Sequence, residues 1–282
     1  MGEIFRGSDA LANGSLTRHE LQKWYRRIFR DVYVPQTTPV TLRDRTTGAW
    51  LSTHSQGVIA GVAASALHGA NWVDANVPIE LISRHLRPQR GLVIRTETLA
   101  PDEITHIANL PVTTRARTAF DLGRHLARGD ALARMDALMR SMVFSTEDVL
   151  LLAKRYQGAR GIRQLRGLLP IVDGGAASPQ ESLLRLAFSD AGLPKPATQV
   201  PVTDSRGYLV RIVDMAWEEF KVAAEYDGEQ HQTNRYQYRK DARVLPKLAR
   251  MGWLVVRAFK EDCRAEVAAE ARSALISRGW KP

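Results

Sequence analysis

The chain of 282 residues has one cysteine, Cys263. A lone thiol forms no internal disulfide and no thiolate metal cluster, so nothing argues for an oxidising compartment and a reducing cytoplasm fits best. No stretch approaches the roughly 20 apolar residues of a membrane span. The opening MGEIFRGSDALANG has no apolar run for a signal peptide, and Arg6 stands where the myristoylation pattern needs Ser or Thr. There is no internal repeat or low-complexity tract, which excludes a solenoid. Acids are outnumbered: 30 Asp and Glu against 40 Lys and Arg give a formal charge of +10. That balance favours an anionic partner, nucleic acid or an acidic membrane surface.

Residues 1–54 read as a small basic unit. In LTRHELQKWYRRIFRDVYVP, Thr17 followed by Glu20 is the capping-box pattern of a helix start, and Leu21, Trp24 and Tyr25 follow at helical spacing. The next residues alternate, with Ile28, Val32 and Val34 towards a strand face. A helix before short strands, bearing Lys23, Arg26, Arg27 and Arg30, suits a winged-helix-like DNA-binding unit. Residues 55–170 form an α+β middle region. Within it, the Ala- and Gly-rich SQGVIAGVAASALHGANW predicts a tightly packed helix ending near Gly69, with His68 as a buried or capping residue. Residues 79–84 and 91–98 read as strands, and 113–155 as helical with an apolar core stripe. The Gly- and Pro-containing stretch 166–179 is the linker, and 178–282 is the last domain.

That domain carries the chemistry. Ser178 as N-cap, Pro179 at the first helical position and Glu181 three residues after the cap start a helix with an acid at its N-terminus. TQVPV, LVRIVDMAW and FKVAAEYDG then read as successive strands. Alternation puts Asp214 on the face of Ile212 and Ala216, and Glu225 and Asp227 on the face of Ala223. Adjacent strands would present the three acids to one another, at a cost that a divalent cation removes. Oxygen ligands without cysteine select Mg²⁺ or Mn²⁺. Gly228 releases the chain so that His231 can return towards the site as general base or proton shuttle. Residues 235–281 carry twelve Lys and Arg against five acids. Arg235, Arg239, Lys240 and Arg243, interleaved with Tyr236 and Tyr238, suit phosphate contacts and base stacking. Pro246 should kink this helix.

The ordered pattern VDMAW, AAEYDGEQH and YRKDARVLPKLARMGWLVVRAF resembles the very-short-patch-repair (Vsr-like) endonucleases of the PD-(D/E)xK superfamily, over residues 178–275. The resemblance implies a restriction-endonuclease-like mixed sheet flanked by helices, within an overall α/β (α+β) class. It also implies a metal-dependent phosphodiester-hydrolysing site. Asp214 and Glu225 would be metal ligands, with Glu181 supplementary; Asp227 stands where the superfamily has lysine. LTRHELQKWYRRIFRDVYVP with GVIAGVAASALHGA is similar to the AbiEi-type antitoxin family, whose N-terminal winged helix binds DNA; Asp31 replaces the glycine usual before Val-Tyr.

Together these readings give a divalent-metal-dependent endonuclease acting on duplex DNA, in repair or defence, without membrane attachment. Catalytic candidates are Asp214, Glu225, Asp227 and His231; metal candidates are Asp214, Glu225, Asp227 and Glu181. The alternative is an antitoxin-like DNA-binding regulator whose nuclease fold cleaves poorly.

Overall fold

The computed structural model describes residues 4–83, 89–228 and 235–282, with 235–242 described as helical backbone only. The chain folds into two compact units. One runs to His125 and includes Ser141–Arg166; the other comprises Leu126–Arg140 and Gly167–Pro282. The class is mixed α/β. Among the described residues no helix is long and apolar enough to cross a membrane.

The first unit opens with β1 (Phe5–Arg6), α1 (Gly7–Ala12), α2 (Arg18–Trp24), β2 (Tyr25–Phe29), β3 (Val32–Pro35) and α3 (Leu42–Ser52). The Thr17 hydroxyl accepts from the Glu20 amide at 3.2 Å while the Glu20 carboxylate accepts from the Thr17 amide at 2.8 Å, so the expected capping box starts α2. The strands form a small sheet ordered β1-β3-β2. Asp31 turns the hairpin with φ of +58°, a left-handed conformation that glycine adopts more readily. The acid provides what glycine lacks: its carboxylate accepts from the Ser8 amide at 2.9 Å and from the Ser8 hydroxyl, fixing the start of α1.

A five-stranded sheet follows, built from β4 (Val58–Ala60), β5 (Ile79–Ile82), β6 (Leu92–Arg95), β7 (Ile104–Ile107) and β8 (Leu110–Thr113), in the order β6-β5-β4-β8-β7. Here the structure corrects the expectation of one helix across 55–72. Val58–Ala60 pair with β5 and β8 at the centre of the sheet, and only α4 (Gly61–Leu67) is helical. Gly61 makes the switch at φ of +59°, and a Cβ there would meet Glu80 Oε1 at 2.1 Å, so local alanine propensity yields to sheet burial. His68 does cap α4, its Nε2 on the Thr113 carbonyl at 2.8 Å; burial holds its pKa below the ordinary value, so it stays neutral at pH 7. Phe29, Val32 and Ala49 share one core with Ile59, Ala63, Ile79, Leu81 and Val112. The segment 1–54 therefore closes its core on the middle region instead of standing as a separate domain.

Helices α5 (Arg115–His125), α7 (Thr146–Arg155) and, up to Arg166, α8 (Ile162–Leu168) complete this unit. Arg117, 1% exposed, ion-pairs Glu97 and Asp121 at 2.9 and 3.0 Å and also Glu103; Arg124 pairs Glu97 at 2.6 Å and Asp121 at 3.0 Å. Burial pushes Glu97 up, but the His125 hydrogen bond and the charges of Arg124, His125 and Arg117 outweigh it and bring its carboxyl from 4.5 to about 2. A folded-state pKa below the unfolded one gives stability that is present above the unfolded value and lost as pH falls through the folded one. The stability difference between the native chain and Glu97→Gln is therefore expected to be full above about pH 5.5 and to shrink as pH falls from 4.5 towards 2. Urea titrations across this range check it, and a difference that does not change with pH would refute it.

The second unit takes α6 (Arg128–Ser141) up to Arg140, with α9 (Pro179–Asp190), β9 (Ala197–Thr203), β10 (Leu209–Trp217), β11 (Val222–Asp227), α10 (Arg235–Arg250), β12 (Leu254–Phe259) and α11 (Arg264–Ser277). A buried pair between Arg185 of α9 and Asp136 of α6, together with the Asp173 amide donating to Asp136 at 2.8 Å, ties α6 to this unit although its sequence reads as part of the middle region. The sheet order is β12-β11-β10-β9, antiparallel except for the parallel β11–β12 pair. One face packs Met215, Trp217, Val222 and Ala224 on Leu184 and Phe188 of α9 and Val267 and Ala271 of α11. The other packs Ala216 and Ala223 with Leu248 of α10. The expected mixed sheet flanked by helices is observed. α10 runs unbroken across Pro246, which faces solvent.

Candidate functional site

The acids singled out in the sequence lie in the second unit. Ser178 caps α9, accepting from the Glu181 amide at 3.2 Å and donating to Glu181 Oε1 at 2.9 Å. Glu181 Oε2 accepts from the Ala177 amide at 2.8 Å and from Gln199 Nε2 at 3.1 Å. Glu181 thus serves its own helix start and reaches β9 as well. Its carboxyl, 7% exposed, is pushed up first by burial and then by the negative charge of Asp214, against the Ala177 and Ser178 hydrogen bonds.

Gln199 carries φ of +50°, left-handed for a residue with a side chain. The pairs Val213↔Val200 and Met215↔Thr198 bracket it opposite Asp214. At this point β10 loses its strict alternation. Val213 packs with Ala216 and Ala223 on one side, whereas Met215 packs with Trp217 on the other. A local irregularity of this kind re-aims a side chain, and Asp214 falls at it, half-buried between the two cores. The β10–β11 ladder runs from Trp217↔Val222 to Met215↔Ala224; beyond it Asp214 Oδ2 accepts from the Tyr226 amide at 2.8 Å. The carboxylate thus stands in for the next rung of the ladder and is fixed beside β11.

On β11, Glu225 is 4% exposed and paired with the Arg211 guanidinium from β10. Asp227 is paired with Arg257 of β12, whose register partner is Glu225. The acids are therefore brought to neighbouring positions, through Glu181–Gln199, Asp214–Tyr226 and the strand register, but arginines take up the role that the sequence reading gave to a metal at Glu225 and Asp227. Among the described residues, the grouping of three possible ligands within 4.8 Å of one another is Glu97, Asp121 and His125, in the first unit, and it does not include Asp214, Glu225, Asp227 or Glu181. His231 lies outside the described residues, as do the side chains of Arg235, Arg239 and Lys240. Arg243 is exposed on α10, and Lys23, Arg26, Arg27 and Arg30 are exposed on α2 and around the β2–β3 hairpin.

Gln199 and the Arg211 pairing are absent from the sequence reading. Arg211 lies three residues before Asp214 on the same strand, a signal that a search for cations near strand acids would have found. The Arg257–Asp227 pair requires knowing that β12 lies parallel to β11. A donor set of carboxylate oxygens suits a hard divalent ion.

Two proteins of Mycobacterium tuberculosis are similar to this chain: "Uncharacterized protein MT2308" of strain CDC 1551 / Oshkosh and "Uncharacterized protein Rv2248" of strain ATCC 25618 / H37Rv. Each is 31% identical over 242 residues, covering 85% of this chain and 87% of the relative. The chain belongs to their family. A match of that length cannot be contained in either compact unit alone, so the family shares parts of both. No family model matches the chain.

Proposed function

We propose that the protein is a DNA-directed, divalent-metal-dependent nuclease hydrolysing phosphodiester bonds, with its centre at Asp214 and Glu225. What supports the reading is the Glu181–Gln199 hydrogen bond, the register that sets Gln199 opposite Asp214, and the hydrogen bond from β11 to Asp214. Together these bring carboxylates, two of them buried, to neighbouring positions around a strand irregularity. Asp214 and Glu225 would hold the ion, with Glu181 behind them. When bound, the ion would supply charge neutralisation at the phosphate oxygens. The chain's own residues would do the rest: the Tyr226 amide orients Asp214, Gln199 orients Glu181, and Arg211, the ion-pair partner of Glu225, would supply a positive donor to a phosphate oxygen. The test is incubation with plasmid, single-stranded and mismatched DNA in Mg²⁺ or Mn²⁺ against EDTA; absence of metal-dependent cleavage on every substrate would overturn it.

A second reading, a DNA-binding regulator with an inactive nuclease fold, draws on the arginines already seated on Glu225 and Asp227. Operator binding that persists in EDTA without any cleavage would select it. Both readings place DNA against the N-terminal basic surface. There Trp24 is 59% exposed with Lys23 Nζ 4.8 Å from its ring centre, beside Arg27 and Arg30. Replacing Lys23, Arg27 and Arg30 together by alanine is expected to lower the slope of log affinity against log salt by about 2–3, the release of two to three counterions. Filter binding from low to moderate salt measures it, and an unchanged slope removes this surface from the DNA path.

A further inference from the structure

Helix α7 carries more apolar residues than its core face uses. Val149, Leu152 and Ala153 are buried at the i, i+3, i+4 spacing of one helical face, whereas Leu150 and Leu151 are exposed beside them. The loop before the helix adds Met142 and Val143, 51% and 78% exposed. Of the eleven large exposed apolar side chains among the described residues, four thus fall within ten consecutive positions. A single exposed leucine needs no explanation, but a concentration of apolar side chains rimmed by charge marks a contact surface.

Two of the four, Val143 and Leu151, line a groove of about 440 Å³ that lies wholly within the first unit, between the turn at Pro101–Glu103, the start of α5, and α7. The buried Phe144 and Leu152 line it as well, so the groove has an apolar interior and an apolar lip. Its charges are of both signs. Arg155 is already committed, pairing Asp102 at 2.9 Å and Glu103 at 2.6 Å. Two charges are left over: the half-buried Arg115 and the exposed Asp148 line the same groove and make no ion pair among the described residues.

We propose that this groove is a docking surface for a second copy of the chain. The two protomers meet about a two-fold axis, Met142 and Val143 of one packing into the groove of its partner and Arg115 of each facing Asp148 of the other. A two-fold interface brings one patch against itself, so it needs projection and recess, cation and anion, side by side on the same surface. This surface has all four. Charge also selects the occupant. The chain carries +10 overall, yet the groove is lined by Asp102, Glu103 and Asp148 against Arg115 and Arg155. Two basic proteins can approach here without the repulsion that opposes contact elsewhere, and a nucleic-acid backbone is not attracted to it.

Analytical ultracentrifugation of the full chain from about 1 to 100 µM tests this, and the native protein is expected to reach twice the mass of one chain with a dissociation constant in the micromolar range. Val143→Glu changes an exposed loop position and leaves the core untouched; it is expected to weaken the dimer by about tenfold or more. Arg115→Asp and Asp148→Arg each set like charges opposite one another when the variant pairs with itself, so either alone is expected to dimerise at least about tenfold more weakly than the native chain. Mixed in equal amounts, the two variants meet as opposite charges at both contacts, and a dimer of native strength is expected. A folding defect would not be rescued by mixing, and circular dichroism identifies it beforehand. A native chain that stays monomeric at the highest concentration would leave the groove to another occupant and overturn the proposal. A dimer untouched by Val143→Glu, or charge variants that fold as the native chain does and fail to recover on mixing, would overturn it too. Every readout is a mass, so failure here leaves the nuclease reading intact.

Discussion

Asp214→Asn is expected to lower Mg²⁺-dependent cleavage of DNA by about 10³-fold, on the order of 4 kcal/mol of transition-state stabilisation, while leaving the fold and DNA affinity unchanged. Asparagine keeps the shape and retains a carbonyl oxygen, so it can still accept from the Tyr226 amide and maintain the irregular end of β10. What it removes is the negative charge that would hold a divalent ion and that raises the neighbouring Glu181 carboxyl. Losing one charged ligand of a hard-ion site weakens charge neutralisation at the phosphate, where most of the catalytic advantage of such sites arises. Circular dichroism and the binding slope serve as controls. Cleavage at native rates by purified Asp214→Asn would show that the activity comes from elsewhere. Glu225→Gln is a less clean probe, because it strips Arg211 of its buried counter-charge and perturbs folding as well.

How far the sequence could lead is clearest at particular residues. Ser178, Pro179 and Glu181 announced the start of α9, and Thr17 with Glu20 the start of α2, because capping is local chemistry at fixed spacing. The three strands β9, β10 and β11 were equally legible, since each is bounded by turn residues. The acids on one face of β11 followed from alternation alone. What stayed hidden depends on pairing between distant segments. Val58–Ala60 looked helical from its alanine-rich surroundings, and only its place between β5 and β8 makes it a strand. Alternation also fails to show that Asp214 lies where β10 changes face, because the irregular residue opposite it, the left-handed Gln199, is on the neighbouring strand. The acid cluster looked uncompensated because Arg211 and Arg257 reach it only through the folded sheet. Asp227, the departure from a lysine-bearing pattern, gains its cation from β12 instead of its own strand.

Arg117→Met is expected to destabilise the first unit by about 3–5 kcal/mol, which for a domain of ordinary stability removes a third or more of the total. The side chain is fully buried and serves three carboxylates at once. Methionine fills much of the same volume, so the loss is electrostatic and not a cavity effect. Asp121 is already pushed up by burial in the native chain, against the charges of Arg117 and Arg124; without Arg117 it moves further up, and Glu103 loses one of its cations and keeps Arg155. An acid whose folded pKa lies above its unfolded one costs stability once pH rises above the unfolded value, and that cost is relieved as protonation restores neutrality. The penalty of Arg117→Met should therefore be larger at pH 8 than at pH 5, growing with pH as the Glu97 contribution does but over a higher pH range. Guanidinium melts at the two pH values, followed by a fluorophore in the first unit, separate the cases: a penalty independent of pH would mean that the side chain acts through packing against Phe120 and Tyr156, 5.4 and 5.2 Å from its guanidinium carbon, and not through its charge.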